Sequence, residues 1–231
     1  SDLGVAVQRI RRLLDLDADP AAVDAALGSD PALAPLVHAV RGRRAPSSID
    51  PYETAVRAVI GQQVSVAGAR TVAGRIVAAV GRPLSTADGE ITRCFPRPDE
   101  LVDASDDSFS MPRARRDTIR RVAGAVAAGD LDLGIGADPS TVHRQLLGLK
   151  GIGPWTADYV LMRGLGHPDM FLANDLGVRH GLDRLGLHAD ASARWAPWRS
   201  YAVHHLWASL APPATNEQPP PSRSRTPKEK P

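Results

Sequence analysis

The sequence predicts an all-α protein, on three observations. Apolar residues recur at helical spacing along most of the 231 residues. No stretch alternates apolar and polar with period two between turn signals. Pro, Gly and Asp fall at the edges of the periodic segments, where helices begin and end. At 43% hydrophobic residues the chain can bury a core, which excludes wholesale disorder.

In chain order, Ile10, Leu13 and Leu14 form a first short stripe. Asp50-Pro51 supplies a cap and a first-turn proline for a helix carrying Tyr52, Ala55, Val56, Val59 and Ile60. Ala69, Val72, Ala73, Ile76, Val77 and Val80 make the next stripe, stopped by Gly81-Arg82-Pro83. Leu84–Pro98 has no helical stripe and reads as a long surface loop. Ile119, Val122, Ala123 and Val126 mark another helix, and Gly129–Pro139 a second loop. Pro139-Ser140 leads into a helix over Thr141–Leu147, and Val203, Leu206 and Leu210 mark the last. From Ala211 onward, seven prolines among Ser, Thr, Glu and Gln predict a disordered tail over 211–231.

Charge and cysteine content exclude several classes. Lys and Arg total 28 against 26 Asp and Glu; four of the former and two of the latter lie in the tail, so the body is neutral. Composition therefore gives no basic face, and any nucleic-acid case rests on local features. The single Cys94 excludes an intrachain disulfide framework, a cysteine zinc site and an iron–sulfur cluster. The seven histidines show no metal-ligand spacing. Without a bilayer-length apolar run or a leader, the expected location is cytoplasmic, in association with the nucleoid. The chain starts at Ser1 and is read as one part of a longer polypeptide.

The most informative segment runs Leu146-Leu147-Gly148-Leu149-Lys150-Gly151-Ile152-Gly153-Pro154-Trp155-Thr156-Ala157. One helix ends near Leu147, a glycine turn follows, and Pro154 opens another helix. N–H groups at Gly151 and Gly153, with the free donors of the new helix, suit a single phosphate. A glycine-capped helix corner gives the same short pattern. Further on, Gly164-Leu165-Gly166-His167-Pro168-Asp169 precedes Asn174-Asp175 and a new helix from Leu176. Asp175 alone reads as a helix cap beside the positive end of the helix dipole. Trp155 and Tyr159, four residues apart, alone read as core.

Taken together, these segments resemble the HhH-GPD DNA glycosylase superfamily, and locally its AlkA-type, DNA-3-methyladenine glycosylase II branch. The stretches that carry the resemblance are Ala58–Val66, Gly151–Tyr159, Phe171–Asp175 and Trp198 through Trp207. The resemblance implies two helical subdomains flanking a cleft, one over 50–167, the other combining 168–210 with the helices of 1–49. It implies that Asp175 is the catalytic carboxylate and that Trp155, Tyr159 and Trp207 line the base pocket. Gln62, Gln63, Gly151, Gly153, Thr156 and Arg179 become DNA-binding candidates, with Gln63 at the wedge position. Arg179 serves equally as a solvated helix charge, and Gln62-Gln63 as an exposed helix end. The carbonyls of Leu147, Leu149 and Gly151 match those that hold a structural monovalent cation (Na⁺ or K⁺) in related hairpins; no cofactor is required.

The implied activity is hydrolysis of the N-glycosidic bond of alkylated purines flipped from double-stranded DNA, in base excision repair. Members that also cut the strand place a nucleophilic Lys two positions after the second hairpin glycine, where this chain has Trp155; a monofunctional reading, without lyase activity, rests on that substitution and on the scarcity of lysine, of which there are three. Asn174 departs from the family, which often has an acidic residue there. The alternative from another class is a catalytically silent helix-hairpin-helix DNA-binding module. The expected state is a monomer off the membrane, with an N-terminal α/β or Ada-type region elsewhere in the polypeptide.

Overall fold

The computed structural model describes residues 2–134 and 136–211. Three helices, α1 (Asp2–Leu13), α2 (Pro20–Gly28) and α3 (Ala34–Ala39), precede α4 (Pro51–Ile60) and α5 (Val66–Val80). A strand pair, β1 (Pro83–Asp88) and β2 (Ile91–Arg93), is followed by α6 (Pro98–Asp103), α7 (Arg113–Ala128), α8 (Pro139–Gly148) and α9 (Pro154–Tyr159). A π-turn over Val160–Gly164 continues α9, and α10 (Leu176–Arg184) and α11 (Arg199–Ser209) complete the order. The mostly helical architecture is the one the periodicity predicts.

The helix starts follow from side-chain caps. Asp19, Asp50, Ser65 and Asp138 each accept backbone N–H bonds from the first turns of α2, α4, α5 and α8. Gly81 ends α5, and Gly129, at φ +80°, ends α7.

Two expectations change. The segment expected as a loop after α5 contains the antiparallel β1–β2 hairpin. Gly89-Glu90 forms its two-residue turn, with Gly89 at φ +57°. Both strands are almost wholly exposed, so neither face is apolar and the period-two signal is absent. The first stripe does form a helix, but no residue of α1 is buried, and Ile10 and Leu14 remain about half exposed. The proline-rich segment predicted to be disordered lies, beyond Ala211, outside the described residues.

The core comprises two clusters. Tyr52, Val56, Val59, Ile60, Ile76, Leu101, Ile119, Val122, Leu146 and Leu161 belong to one. Val23, Leu27, Leu33 and Val37 join Met162, Leu172, Val178, Trp195, Tyr201 and Leu206 in the other. The chain passes between them at Leu161–Met162, inside the π-turn. Tyr159 and Met170 pack against both. Buried Asp30 anchors the second cluster, accepting the Trp195 indole N–H at 2.9 Å and pairing with Arg194 at 3.0 Å.

That cluster also carries a pH dependence. Burial lowers His204 to about 3 and His205 to about 4, helped by Arg163 and Arg43 beside the first and Arg43 beside the second; Asp24 opposes the shift at His205. Both side chains are neutral in the fold, while the unfolded chain takes up protons below about pH 6.5. Stability is therefore complete above that value and declines as pH falls toward 4. Denaturant melts at pH 7 and pH 5 should differ by roughly 2 kcal/mol, allowing for partial relaxation. The double variant His204→Gln/His205→Gln should lose most of that slope; an unchanged slope would place the proton uptake elsewhere.

Candidate active site

A cleft of about 1180 Å³ opens between the two clusters. Its walls come from the α4–α5 junction, from α9, from the start of α10 and from α11. Gln62, Gln63, Gly153, Trp155, Thr156, Tyr159, Asp175 and Trp207 all line it. Residues separated by more than a hundred positions in the chain thus meet in one space.

Asp175 is half-buried and caps α10: Oδ1 accepts the Val178 N–H at 2.9 Å. The same oxygen accepts the Trp207 indole N–H at 2.8 Å, and Oδ2 accepts that of Trp155 at 3.0 Å. The cap reading of Asp175 is therefore correct locally, and the carboxylate also faces the cleft. Trp155 and Tyr159 stack with ring centroids 5.1 Å apart at 22°. Helical spacing put them on one face, and parallel stacking means each covers one face of the other.

The hairpin turn is built by tight packing. Gly151 has φ +99°, and a Cβ there would lie 2.0 Å from Thr118 Oγ1, on buried Thr118 of α7. The Lys150 carbonyl accepts from Arg121 at 3.2 Å. Gln62 donates through Nε2 to the Gly151 carbonyl at 3.1 Å and to Thr156 Oγ1 at 3.0 Å. Thr156 is only 3% exposed. The side chains of Gln62 and Thr156, expected on DNA, thus bond to each other and tie the turn to the end of α4. Across the hairpin, His143 on α8 pairs with Asp158 on α9 at 2.9 Å, and burial pushes the Asp158 carboxyl up despite that partner.

Gln63 is exposed and holds a left-handed backbone, φ +57°, at the cleft mouth. That conformation costs a non-glycine residue about 1 kcal/mol. Arg179 is exposed on α10 and does not line the cleft. The hairpin residues Leu147, Leu149 and Gly151 likewise lie outside the lining.

The loop before Asp175 is fixed from α11. Arg199 grips Asp169 through two side-chain bonds of 2.7 and 2.8 Å, and fully buried Ser200 donates to the His167 carbonyl at 2.7 Å. Burial alone would raise the Asp169 carboxyl; Arg199 outweighs it and holds the group below its ordinary value. Sequence reading missed this clamp, as it missed Ser47, Ser48, Arg57, Arg70 and Arg163 in the cleft wall. A balanced charge count conceals such local clusters. The His167-Pro168-Asp169 motif was the available signal for the clamp.

Comparison with known proteins bears on this arrangement. The family model for the AlkA N-terminal domain matches residues 1–50. A probable bifunctional transcriptional activator/DNA repair enzyme AlkA from Mycobacterium tuberculosis is 48% identical over 95% of the chain, which spans 45% of that protein. DNA-3-methyladenine glycosylase 2 of Escherichia coli is 35% identical over 86% of the chain and 70% of its own length. Among solved structures, the 3-methyladenine DNA-glycosylase from Archaeoglobus fulgidus has the same fold, with a TM-score of 0.76 over 90% of this chain and 74% of that one, at 23% identity. The chain belongs to the AlkA-type, DNA-3-methyladenine glycosylase 2 family of HhH-GPD proteins.

Proposed function

We propose that this chain is a monofunctional glycosylase that hydrolyses the C1′–N bond of alkylated purines in duplex DNA, leaving an abasic site. The observation that carries the reading is the Asp175 carboxylate, fixed by two indole N–H groups inside a cleft that Gly153 of the hairpin also lines. The flipped purine enters the cleft beside Trp155, Tyr159 and Trp207. Alkylation at N3 or N7 makes the base cationic, which attracts it to an aromatic face and weakens its glycosidic bond. As that bond breaks, the bonding pair leaves with the base, which becomes neutral. Asp175 stabilises the positive charge that develops on the sugar. Water adds its oxygen to C1′ and gives up a proton, through the carboxylate, to solvent.

Phosphate contacts fall to the N–H groups of Gly151 and Gly153, which grip backbone without reading sequence. Gln63, held exposed in its left-handed turn, fills the space the flipped base leaves. Lys150, the one lysine outside the tail, does not line the cleft, in keeping with hydrolysis without strand cleavage. A monovalent cation fits the carbonyls of Leu147, Leu149 and Gly151. These are neutral oxygen donors, and the carbonyls of Leu149 and Gly151, each accepting one N–H here, keep a second lone pair. If bound there, such an ion would supply positive charge to the hairpin and would take no part in bond cleavage. We read the two core clusters as the two subdomains, and the protein as a soluble monomer acting on nucleoid DNA; among the described residues no helix is long and apolar enough to cross a membrane.

The test is chromatography of free bases released from methylated duplex DNA, with strand integrity followed on a gel and borohydride added in parallel. Release of 3-methyladenine or 7-methylguanine without strand cutting supports the reading. A borohydride-trapped adduct would replace it with a lyase. DNA binding without any release would favour the silent binding module.

A further inference from the structure

We infer that Trp155 and Trp207 are positioning residues that hold Asp175 through their indole N–H groups, and that Oδ2 is the oxygen turned toward the reacting sugar. This deepens the glycosylase reading and rests on it. An ionised carboxylate has about four acceptor sites, two on each oxygen. Oδ1 has two donors, the Val178 N–H and the Trp207 indole. Oδ2 has one, the Trp155 indole. The free acceptor direction therefore belongs to Oδ2. Donors from α9, α10 and α11 converge on one side chain, so its rotation is fixed before any substrate arrives.

Both indoles are themselves held in plane. Tyr159 stacks on Trp155, and His204 meets Trp207 edge-on with centroids 5.3 Å apart at 82°. Each ring is thereby oriented so that its N–H, and not only its face, is directed. Gly177 makes the approach of Trp207 possible. A Cβ there would lie 2.9 Å from Trp207 Cδ1 and 3.1 Å from both Trp207 Nε1 and Asp175 Oδ1. The glycine is in the first turn of α10, where helix propensity favours almost any other residue. Its absent side chain leaves room for the indole against the carboxylate. Stacking alone needs only an aromatic face, which Phe also has, whereas these contacts need the nitrogen.

Trp155→Phe and Trp207→Phe keep a ring and remove the donor. Single-turnover base release should fall about tenfold or more in each, the size expected for losing a hydrogen bond to a charged acceptor. The DNA concentration giving half-saturation should change by less than about threefold. The opposite split, weaker saturation at unchanged rate, would mean that the rings act by stacking and would overturn the inference. A second arm needs no turnover: ¹⁵N–¹H spectra of the four tryptophan indoles, in wild type, Asp175→Ala and Gly177→Ala. Asp175→Ala should move the Trp155 and Trp207 signals and leave that of Trp195, which donates to Asp30. Gly177→Ala should move Trp207 and slow release as Trp207→Phe does. Unmoved Trp155 and Trp207 signals in Asp175→Ala refute the inference. If wild type releases no base, the glycosylase reading fails by itself, and the spectra still decide whether the indoles bond the carboxylate.

Discussion

Asp175→Asn is expected to reduce base release by a factor on the order of 10²–10³, the usual cost of removing one group that stabilises transition-state charge. The reason lies in the surroundings of the side chain. Asparagine has the same shape and caps helices as well as aspartate does, so α10 should persist and Tm should change little. Its amide oxygen can still accept from Val178 and Trp207 in place of Oδ1. Its NH₂ group then meets the Trp155 N–H, replacing an acceptor with a donor, and the negative charge is gone. DNA affinity should remain within about threefold of wild type, because the proposed phosphate contacts are those of the hairpin and not of the carboxylate. Free-base chromatography beside a binding titration checks both halves. A variant that keeps a tenth or more of wild-type release would remove Asp175 from the chemistry.

Gly151→Ala should be the most damaging single change in the hairpin. The left-handed φ of +99° penalises any Cβ, and that Cβ would sit 2.0 Å from Thr118 Oγ1. Thr118 is 3% exposed on α7 and has little room to withdraw. Backbone strain and overpacking together should cost roughly 3 kcal/mol, a fall in Tm of about 10 °C. Thr118→Ala in the same chain removes the closest atom and should restore part of the loss, which a thermal melt of the double variant measures. Gly153→Ala is the comparison. No heavy atom lies within 4 Å of its Cβ, so the free protein should tolerate it, yet DNA affinity should fall if a phosphate packs against that backbone. Equal melting temperatures for Gly151→Ala and wild type would refute the packing argument.

The helical class was legible because it rests on local periodicity: the stripes at Tyr52–Ile60, Ala69–Val80 and Ile119–Val126 became α4, α5 and α7. Their caps were legible because a cap acts locally: Asp50 accepts the N–H groups of Tyr52 and Glu53, two and three residues on. The β1–β2 hairpin was not, since strands with both faces in water leave no alternation to read. Nor was the exposure of the α1 stripe, because amphipathic spacing says that a face is apolar but not whether anything covers it.

At the site, the sequence by itself determined which residue types were available: two glycines in the hairpin turn, an aspartate at the start of α10, and Trp155 two positions after the second of those glycines. These are properties of residue type and short spacing. Tertiary structure alone decided how those groups are used. It brought Trp207 over the empty position of Gly177 and set two indole nitrogens on one carboxylate. It also turned Gln62 and Thr156 inward to close the hairpin. The physical reason is range: a cap or a turn is settled by neighbours a few residues away, whereas a hydrogen bond between side chains 32 or 94 positions apart depends on how the helices pack.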